Sequence, residues 1–137
     1  MVNFFFEETA EQKLDFLTIE RNVEKLILNE KKKVGEINYI FCSDPYLLDI
    51  NKRYLNHDYY TDVISFDYCE NDIISGDIFI SIDMVVYNSE KYEVSFLKEL
   101  YRVIVHGVLH FVGYKDKTEE DSAVMRQKEN QYLILFD

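Results

Sequence analysis

From His106 to Asp116 the chain reads HGVLHFVGYKD, and this stretch predicts a metal site at the end of a helix. His106 and His110 are four residues apart in an apolar run, so on a helix their imidazoles project from nearly the same face. Two imidazoles on one face can bind one metal ion. Gly113 can end the helix in a left-handed conformation that turns the chain back. Asp116 is then placed to supply a third ligand and leave a coordination position open, as in catalytic sites.

Two further observations favour a metal site over chance packing. The chain has only three histidines, and two of them form this pair. Their apolar neighbours predict a buried helix, in which an imidazole needs a polar partner. The spacing His-x3-His-x2-Gly-x2-ligand is also that of the metzincin proteases, which carry Glu after the first histidine as general base. This chain has Gly107 there, which argues against peptide hydrolysis by that route.

The bulk composition predicts one domain over residues 1–137 and limits where it acts. The chain is 47% hydrophobic, enough for a core, yet no apolar run reaches the roughly 18 residues that cross a membrane. Its start lacks the basic and apolar regions of a secretory signal. Cys42 and Cys69 form no Cys-x2-Cys pair and predict reduced thiols in the cytoplasm.

The net charge of −11 is unusual for a protein that binds nucleic acid, because phosphate binding normally uses a basic face. A local basic patch would reconcile the two. The alternative is that most of these basic residues are ordinary solvated charges. The candidates for such a patch are Lys52, Arg53, Lys98, Arg102, Lys115 and Lys117.

Hydrophobic periodicity predicts the element order β-α-β-α-β-β-α-α-α, an α+β fold. Ser43, Ser95 and Thr118 are predicted helix caps, and the Gly76-Asp77 pair predicts a bulge or a close backbone approach. We expect a small mixed four-stranded sheet packed with about five helices, with the metal site on a central helix and the following loop. The predicted strands are 2–6, 36–42, 61–67 and 73–82, and the predicted helices are 10–31, 44–55, 81–91, 96–112 and 118–133.

Three motifs resemble those of the YbeY family of endoribonucleases, which mature ribosomal RNA. HGVLHFVGY at 106–114 matches the family signature, TDVISF at 61–66 is similar to its Thr-Asp-Val-Leu-Ser-Phe, and GDI at 76–78 is similar to its Gly-Asp-Ile. They occur in the family's order, and the resemblance covers residues 40–135 well and the N-terminal third loosely. It implies a cytoplasmic, metal-dependent endoribonuclease that acts on single-stranded precursor RNA of the small ribosomal subunit and in ribosome quality control. Small-subunit ribosomal proteins are candidate partners, and no membrane is involved.

The resemblance implies one zinc ion per chain, held by His106, His110 and Asp116. These three residues would also be the catalytic residues. The family usually has a third histidine at the position of Asp116, but a carboxylate is a competent zinc ligand. The family also has an arginine, thought to handle phosphate, where this chain has Leu55. Arg53 lies two residues away and is the candidate catalytic replacement, although it can equally be a surface residue.

Other residues near the matched motifs are candidates for supporting roles. His57 and Asp62 are candidate general bases, and Ser65 and Asp77 are candidates to orient the metal ligands. The alternative for each is a turn, surface or strand-end role. Should the loop run differently from this expectation, Glu119 or Asp121 would replace Asp116 as the third ligand.

Two other functions are compatible with the sequence. The metzincin-like spacing allows a metal hydrolase with another substrate, such as a peptide or small ester. The departures at Leu55 and Asp116 allow a non-enzymatic ribosome-assembly factor in which a metal has only a structural role.

Overall fold

The computed structural model describes residues 1–136 of the chain and has an α+β fold built on one mixed sheet. Its strands are β1 (Val2–Glu7), β2 (Lys33–Cys42), β3 (Val63–Asp67) and β4 (Ile73–Ser81). They lie in the order β1-β2-β4-β3, with β3 antiparallel to β4 and the other neighbours parallel. The helices are α1 (Phe16–Asn29), α2 (Asp44–Leu55), α3 (Ile82–Lys91), α4 (Phe96–Phe111) and α5 (Glu119–Leu133), followed by a short 3-10 helix (Ile134–Phe136). The predicted element order and fold class are confirmed.

The first helix is shorter than the predicted 10–31, because a local cap takes precedence over the apolar pattern. Asp15 accepts hydrogen bonds from the backbone N–H of Thr18 at 3.1 Å and from its hydroxyl at 2.7 Å, so the helix begins at Phe16. Leu14 packs against the core from outside the helix. At the other end Lys31 has a φ of 65°, which is incompatible with a continued helix. The three predicted caps are confirmed, since Ser43, Ser95 and Thr118 each accept a backbone N–H in the first turn.

Gly76 marks a close approach, while the bulge lies in the neighbouring strand. The register between β2 and β4 shifts between Val34 and Ile37, so the extra residue is in β2. A Cβ atom on Gly76 would lie 2.4 Å from the carbonyl oxygen of Phe66 and 2.5 Å from the ring of Phe111. The glycine therefore lets the end of α4 pack directly on the sheet.

Helix α4 is the central helix, and its apolar side packs against the sheet. A Cβ atom on Gly107 would lie 2.9 Å from the side chain of Ile78, and the Tyr39 hydroxyl donates a hydrogen bond to the Ile104 carbonyl at 3.0 Å. Close packing offsets the roughly 1 kcal/mol that glycine costs in a helix. Position 107 thus faces the sheet, which leaves the His106 side chain to face α5. Within residues 1–136 no helix has the length and apolar composition needed to cross a membrane.

Candidate metal centre

A glycine turn at the end of α4 brings the following loop back toward the histidines. Gly113 has a φ of +116°, its N–H donates to the His110 carbonyl at 3.1 Å, and the Tyr114 N–H donates to the Leu109 carbonyl at 3.0 Å. This pair of hydrogen bonds is the Schellman motif, which reverses the chain. The predicted left-handed turn is confirmed, and it directs Asp116 toward the helix it follows.

The three predicted ligand atoms converge on one point. The Nε2 atoms of His106 and His110 are 3.0 Å apart. The Oδ2 atom of Asp116 is 3.4 Å from each of them. The three residues form a group whose geometry can hold a metal ion. The structure therefore brings together the ligand set that the sequence predicts.

Hydrogen bonds to the opposite ring nitrogens aim both imidazoles at this point. His110 Nδ1 lies 3.0 Å from the Tyr114 carbonyl oxygen, and His106 Nδ1 lies 2.7 Å from Glu129 Oε2. A carbonyl oxygen only accepts, and a carboxylate beside guanidinium groups also accepts, so both Nδ1 atoms carry the proton. Both Nε2 atoms then present lone pairs to each other, and a cation between them removes the repulsion.

The two separations between Asp116 and the histidines match a tetrahedral zinc site, while the 3.0 Å between the two Nε2 atoms is shorter than such a site requires. Ligands at about 2.0–2.1 Å from zinc and at tetrahedral angles lie about 3.3–3.4 Å from one another. The side chains of His106 and His110 are 15% and 28% exposed, while Asp116 is 45% exposed, so the point of convergence opens to solvent on the side of the loop. Three protein ligands with an open side match a catalytic zinc site rather than a closed structural one.

A buried ionic network adjoins the histidines. Glu129 on α5 and Glu99 on α4 are 2% and 3% exposed. Arg102 lies between them, with Nε donating to Glu99 Oε1 at 3.0 Å and Nη1 at 3.6 Å from Glu129 Oε1. Burial alone would lower the pKa of Arg102, but its hydrogen bonds and attraction to these carboxylates raise it above its ordinary value. The guanidinium is therefore charged at any working pH and anchors both acids.

Asp62 joins the network from the loop before β3. Its Oδ2 atom is 3.6 Å from Arg102 Nη2. Burial raises the pKa of Asp62, and the nearby charges of Arg102 and His106 only partly oppose that rise. A carboxylate with a raised pKa is a stronger base than one in water. Asp62 thus contacts the ionic network that supports His106 and is a stronger base than a solvent-exposed aspartate, while its role as general base stays a prediction.

The ion-paired groups around the histidines carry an excess of negative charge that a divalent cation would neutralise. The ion-pair contacts of residues 1–136 connect four carboxylates with two guanidinium groups here, which leaves two negative charges in excess. Glu129 Oε1 is buried and makes no hydrogen bond within the described part of the chain. A divalent ion would restore formal neutrality, so the donor set and the charge both fit the predicted zinc. The groups counted are Asp62, Glu99, Asp116, Glu129, Arg102 and Arg126.

The other residues predicted near the family's arginine lie on α2 and in the loop after it. The Arg53 side chain is 68% exposed and pairs with Asp49 one turn earlier at 3.0 Å. Leu55 and His57 line a shallow depression beside β3, and the Tyr59 hydroxyl lies 3.0 Å from His57 Nδ1. None of the three belongs to the converging ligand set, and the catalytic role of Arg53 stays a prediction.

The remaining candidates divide between the two faces of the sheet and the start of α5. Asp77 accepts a hydrogen bond from the Asn38 amide at 2.9 Å, on the strand face opposite to that of its neighbour Ile78, and so supports the sheet. Ser65 pairs in register with Ile78, on the side that α4 covers. Glu119 and Asp121 lie in the first turn of α5, outside the converging set, so Asp116 is the acid that the turn delivers.

Sequence reasoning missed Glu129, whose carboxylate orients His106. The sequence contains one weak indication of the role of Glu129. Met125, Glu129 and Tyr132 recur at the spacing of one helix face, and all three are buried. A glutamate in an apolar stripe indicates a buried charge that needs a partner. That partner could not be identified, because the packing of α5 on α4 is not encoded in local periodicity.

Comparisons with known proteins show the family to which the chain belongs. The family model for endoribonuclease YbeY matches residues 4–137. An endoribonuclease YbeY from Flavobacterium psychrophilum is 58% identical over 114 residues, which are 83% of this chain and 81% of that protein. One from Karelsulcia muelleri is 45% identical over 136 residues, 99% of this chain and 96% of that protein. The solution structure of a Thermotoga maritima protein, 27% identical, superposes with a TM-score of 0.71 over 98% of this chain and 88% of that one. The chain belongs to the endoribonuclease YbeY family.

Proposed function

We propose that this member of the family is a metal-dependent endoribonuclease for single-stranded RNA, and that its substrate is the precursor of small-subunit ribosomal RNA. The observation that carries the metal dependence is the convergence of two imidazole nitrogens and a carboxylate oxygen within 3.4 Å. The ribosomal substrate is supported by the resemblance of the three sequence motifs to a family that matures ribosomal RNA. Ribosome quality control belongs to the same proposal.

In this proposal His106, His110 and Asp116 hold the ion, and zinc is the metal that the donor set favours. The ion would supply a Lewis acid that makes water more acidic and withdraws charge from a phosphoryl oxygen. Glu129 holds the His106 ring in the tautomer that presents Nε2, and the Tyr114 carbonyl does the same for His110. The open side beyond Asp116 is where the phosphodiester approaches.

Residue 107 is a glycine, and a side chain there would overlap Ile78, so position 107 cannot supply the general base. Proton transfer therefore falls to another group. We propose Asp62 rather than His57 as the general base. Asp62 contacts the network that supports His106, whereas His57 lies in the loop with Tyr59. Arg53, on the surface of α2, would reach a phosphate of a bound strand rather than the metal ligands.

The charge of the chain suggests how the substrate is presented. A net charge of −11 disfavours tight binding to naked RNA. We propose that small-subunit ribosomal proteins supply affinity in the cytoplasm, and that the chain, acting as one domain over residues 1–137, contributes the metal centre. Binding to free RNA is then weak and falls steeply with salt.

The test compares metal content with cleavage of precursor RNA, both free and within ribosomal particles. The purified protein is analysed for bound metals, then assayed before and after chelation and after zinc is restored. The wild type should hold about one divalent ion per chain and lose cleavage on chelation. His106→Ala/His110→Ala should lose both, whereas His57→Ala, the third histidine of the chain, should retain its metal.

The same variants separate an enzyme from an assembly factor in cells. The protein is depleted, and either the wild type or the double variant is restored. The wild type should clear the accumulated precursor RNA and the double variant should not. If the double variant clears it equally well, the metal centre is not catalytic, and a non-enzymatic assembly role replaces this proposal. Undiminished metal in the double variant would place the ion elsewhere in the chain.

A further inference from the structure

A cleft beside the metal centre contains polar and aromatic side chains that are not among the proposed metal ligands. It has a volume of about 470 Å³ and lies between α3, α4 and α5. Arg102, Glu99 and Asp62 of the ionic network are among the residues that line it. Arg102 precedes His106 by four residues, so the cleft begins about one helical turn, or about 6 Å along the helix axis, from that metal ligand. The cleft is therefore close enough to hold a neighbouring part of whatever reaches the metal.

The side chains of the cleft combine the three groups that recognise a nucleotide. The Tyr92 ring, 58% exposed at the rim, offers a stacking surface. Asn88 and Asn130 each bring an amide that donates and accepts, and neither amide bonds to another residue within residues 1–136. Lys98 and Arg126 add positive charge at the mouth. Arg102 and Arg126 already pair with carboxylates, so a phosphate contact falls first to Lys98.

We infer that this cleft, named here the α4–α5 cleft, binds one nucleotide of a single-stranded RNA next to the bond to be cleaved. The inference rests on the proposed function, because it assumes that the strand crosses the metal centre. Sequence-specific recognition of RNA relies on unstacked bases that stack on aromatic rings and pair with polar side chains. The cleft's volume lies within the range of about 300–1,000 Å³ that small-molecule sites occupy.

This assignment also explains how an acidic chain can hold RNA. Stacking and amide contacts act on the base and do not require a basic surface. Removing a stacking ring weakens base binding by about 5- to 150-fold. Stacking would add a component of affinity that is less sensitive to salt, while the phosphate contacts account for the steep salt dependence proposed above.

The test uses nucleoside 5′-monophosphates and inorganic phosphate as probes of the full chain, followed by nuclear magnetic resonance of the side-chain amides. The amide signals of Asn88 and Asn130 should shift with nucleotide and not with phosphate alone. Tyr92→Ala should weaken nucleotide binding about tenfold or more, and Tyr92→Phe should preserve it. Tyr87→Ala is the matched control, since that tyrosine is 57% exposed on α3 and lies outside the cleft.

Cleavage kinetics provide a second, independent measurement. Tyr92→Ala and Asn130→Ala should raise KM for RNA while the bound metal stays at the wild-type level. Equal nucleotide binding and KM in wild type and Tyr92→Ala would overturn the inference, as would shifts that phosphate reproduces. Metal-dependent RNA cleavage together with no nucleotide binding in the cleft would support the proposed function and contradict the nucleotide site. Nucleotide binding in the cleft without any RNA cleavage would support the nucleotide site and contradict the proposed endoribonuclease function.

Discussion

Replacing the Glu129 carboxylate by an amide should weaken zinc binding without unfolding the protein. Glu129→Gln keeps the size of the side chain and removes the negative charge 2.7 Å from His106 Nδ1. A hydrogen bond to a charged group contributes about 1.5–3 kcal/mol and a neutral one about 0.5–1.5, so the change costs about 1–1.5 kcal/mol. That alone weakens zinc binding by about 5- to 13-fold. Loss of outer partners of metal-binding histidines costs 10- to 100-fold in general, so we expect about tenfold or somewhat more.

The assay is zinc affinity measured by competition with a chromophoric chelator, together with denaturant unfolding of the metal-free protein. Glu120→Gln, on the exposed surface of the same helix, is the matched control and should bind zinc as the wild type does. The metal-free Glu129→Gln protein should stay folded, because the amide keeps the volume of the side chain and Arg102 stays paired with Glu99. Wild-type zinc affinity in Glu129→Gln would refute the argument that this carboxylate orients the ligand.

Further substitutions test the ligand set, the packing and the pH dependence of stability. His110→Ala should lower bound metal to near background by elemental analysis, and an unchanged content would exclude this site. Asp116→His should keep or raise zinc affinity in the same chelator competition, because imidazole is also a good zinc ligand; a large loss would mean that the loop cannot accept the ring. Gly76→Ala should lower the free energy of unfolding by about 1–3 kcal/mol in a denaturant titration, since the added methyl overlaps a β3 carbonyl; no loss would show that the strands can separate there. Burial opposes ionisation of Glu30, but hydrogen bonds from two tyrosines and Lys128 lower its pKa, so its stabilising effect is present above its ordinary pKa and is lost as the pH falls through the lowered value. Glu30→Gln should therefore flatten the acid limb of stability measured against pH in the metal-free protein, and an unaltered limb would contradict this.

The ligand set was predictable because every step that assembles it is local. The helical spacing of His106 and His110 and the turn at Gly113 involve residues close in sequence, and such patterns follow from backbone geometry. Asp116 follows that turn by three residues. The helix caps were predictable for the same reason, since each bonds to an N–H three residues ahead.

The parts that were not predictable depend on how distant segments pack. Arg102 was a candidate for a basic patch, yet in the structure Glu99 and Glu129 enclose it. The contact between Glu129 and His106 spans 23 residues and requires α5 to lie on α4. The predicted start of α1 was wrong because the apolar pattern extends back to Leu14. In the structure Asp15 caps the helix, so Leu14 lies outside it.

The acidity of the chain and its proposed work on RNA are compatible through the metal itself. Without an ion, the groups around His106 and His110 carry two negative charges in excess, which repel a phosphodiester. In our proposal a divalent ion would cancel that excess at the position where the phosphate approaches. The surface therefore needs no general basic character, because the repulsion is removed locally and only when the metal is bound. The same reasoning accounts for Arg102, a cation near the site that is already paired with carboxylates. In our proposal Arg102 holds the carboxylates that orient the ligands, while the uncharged side chains of Tyr92 and Asn130 contact the base.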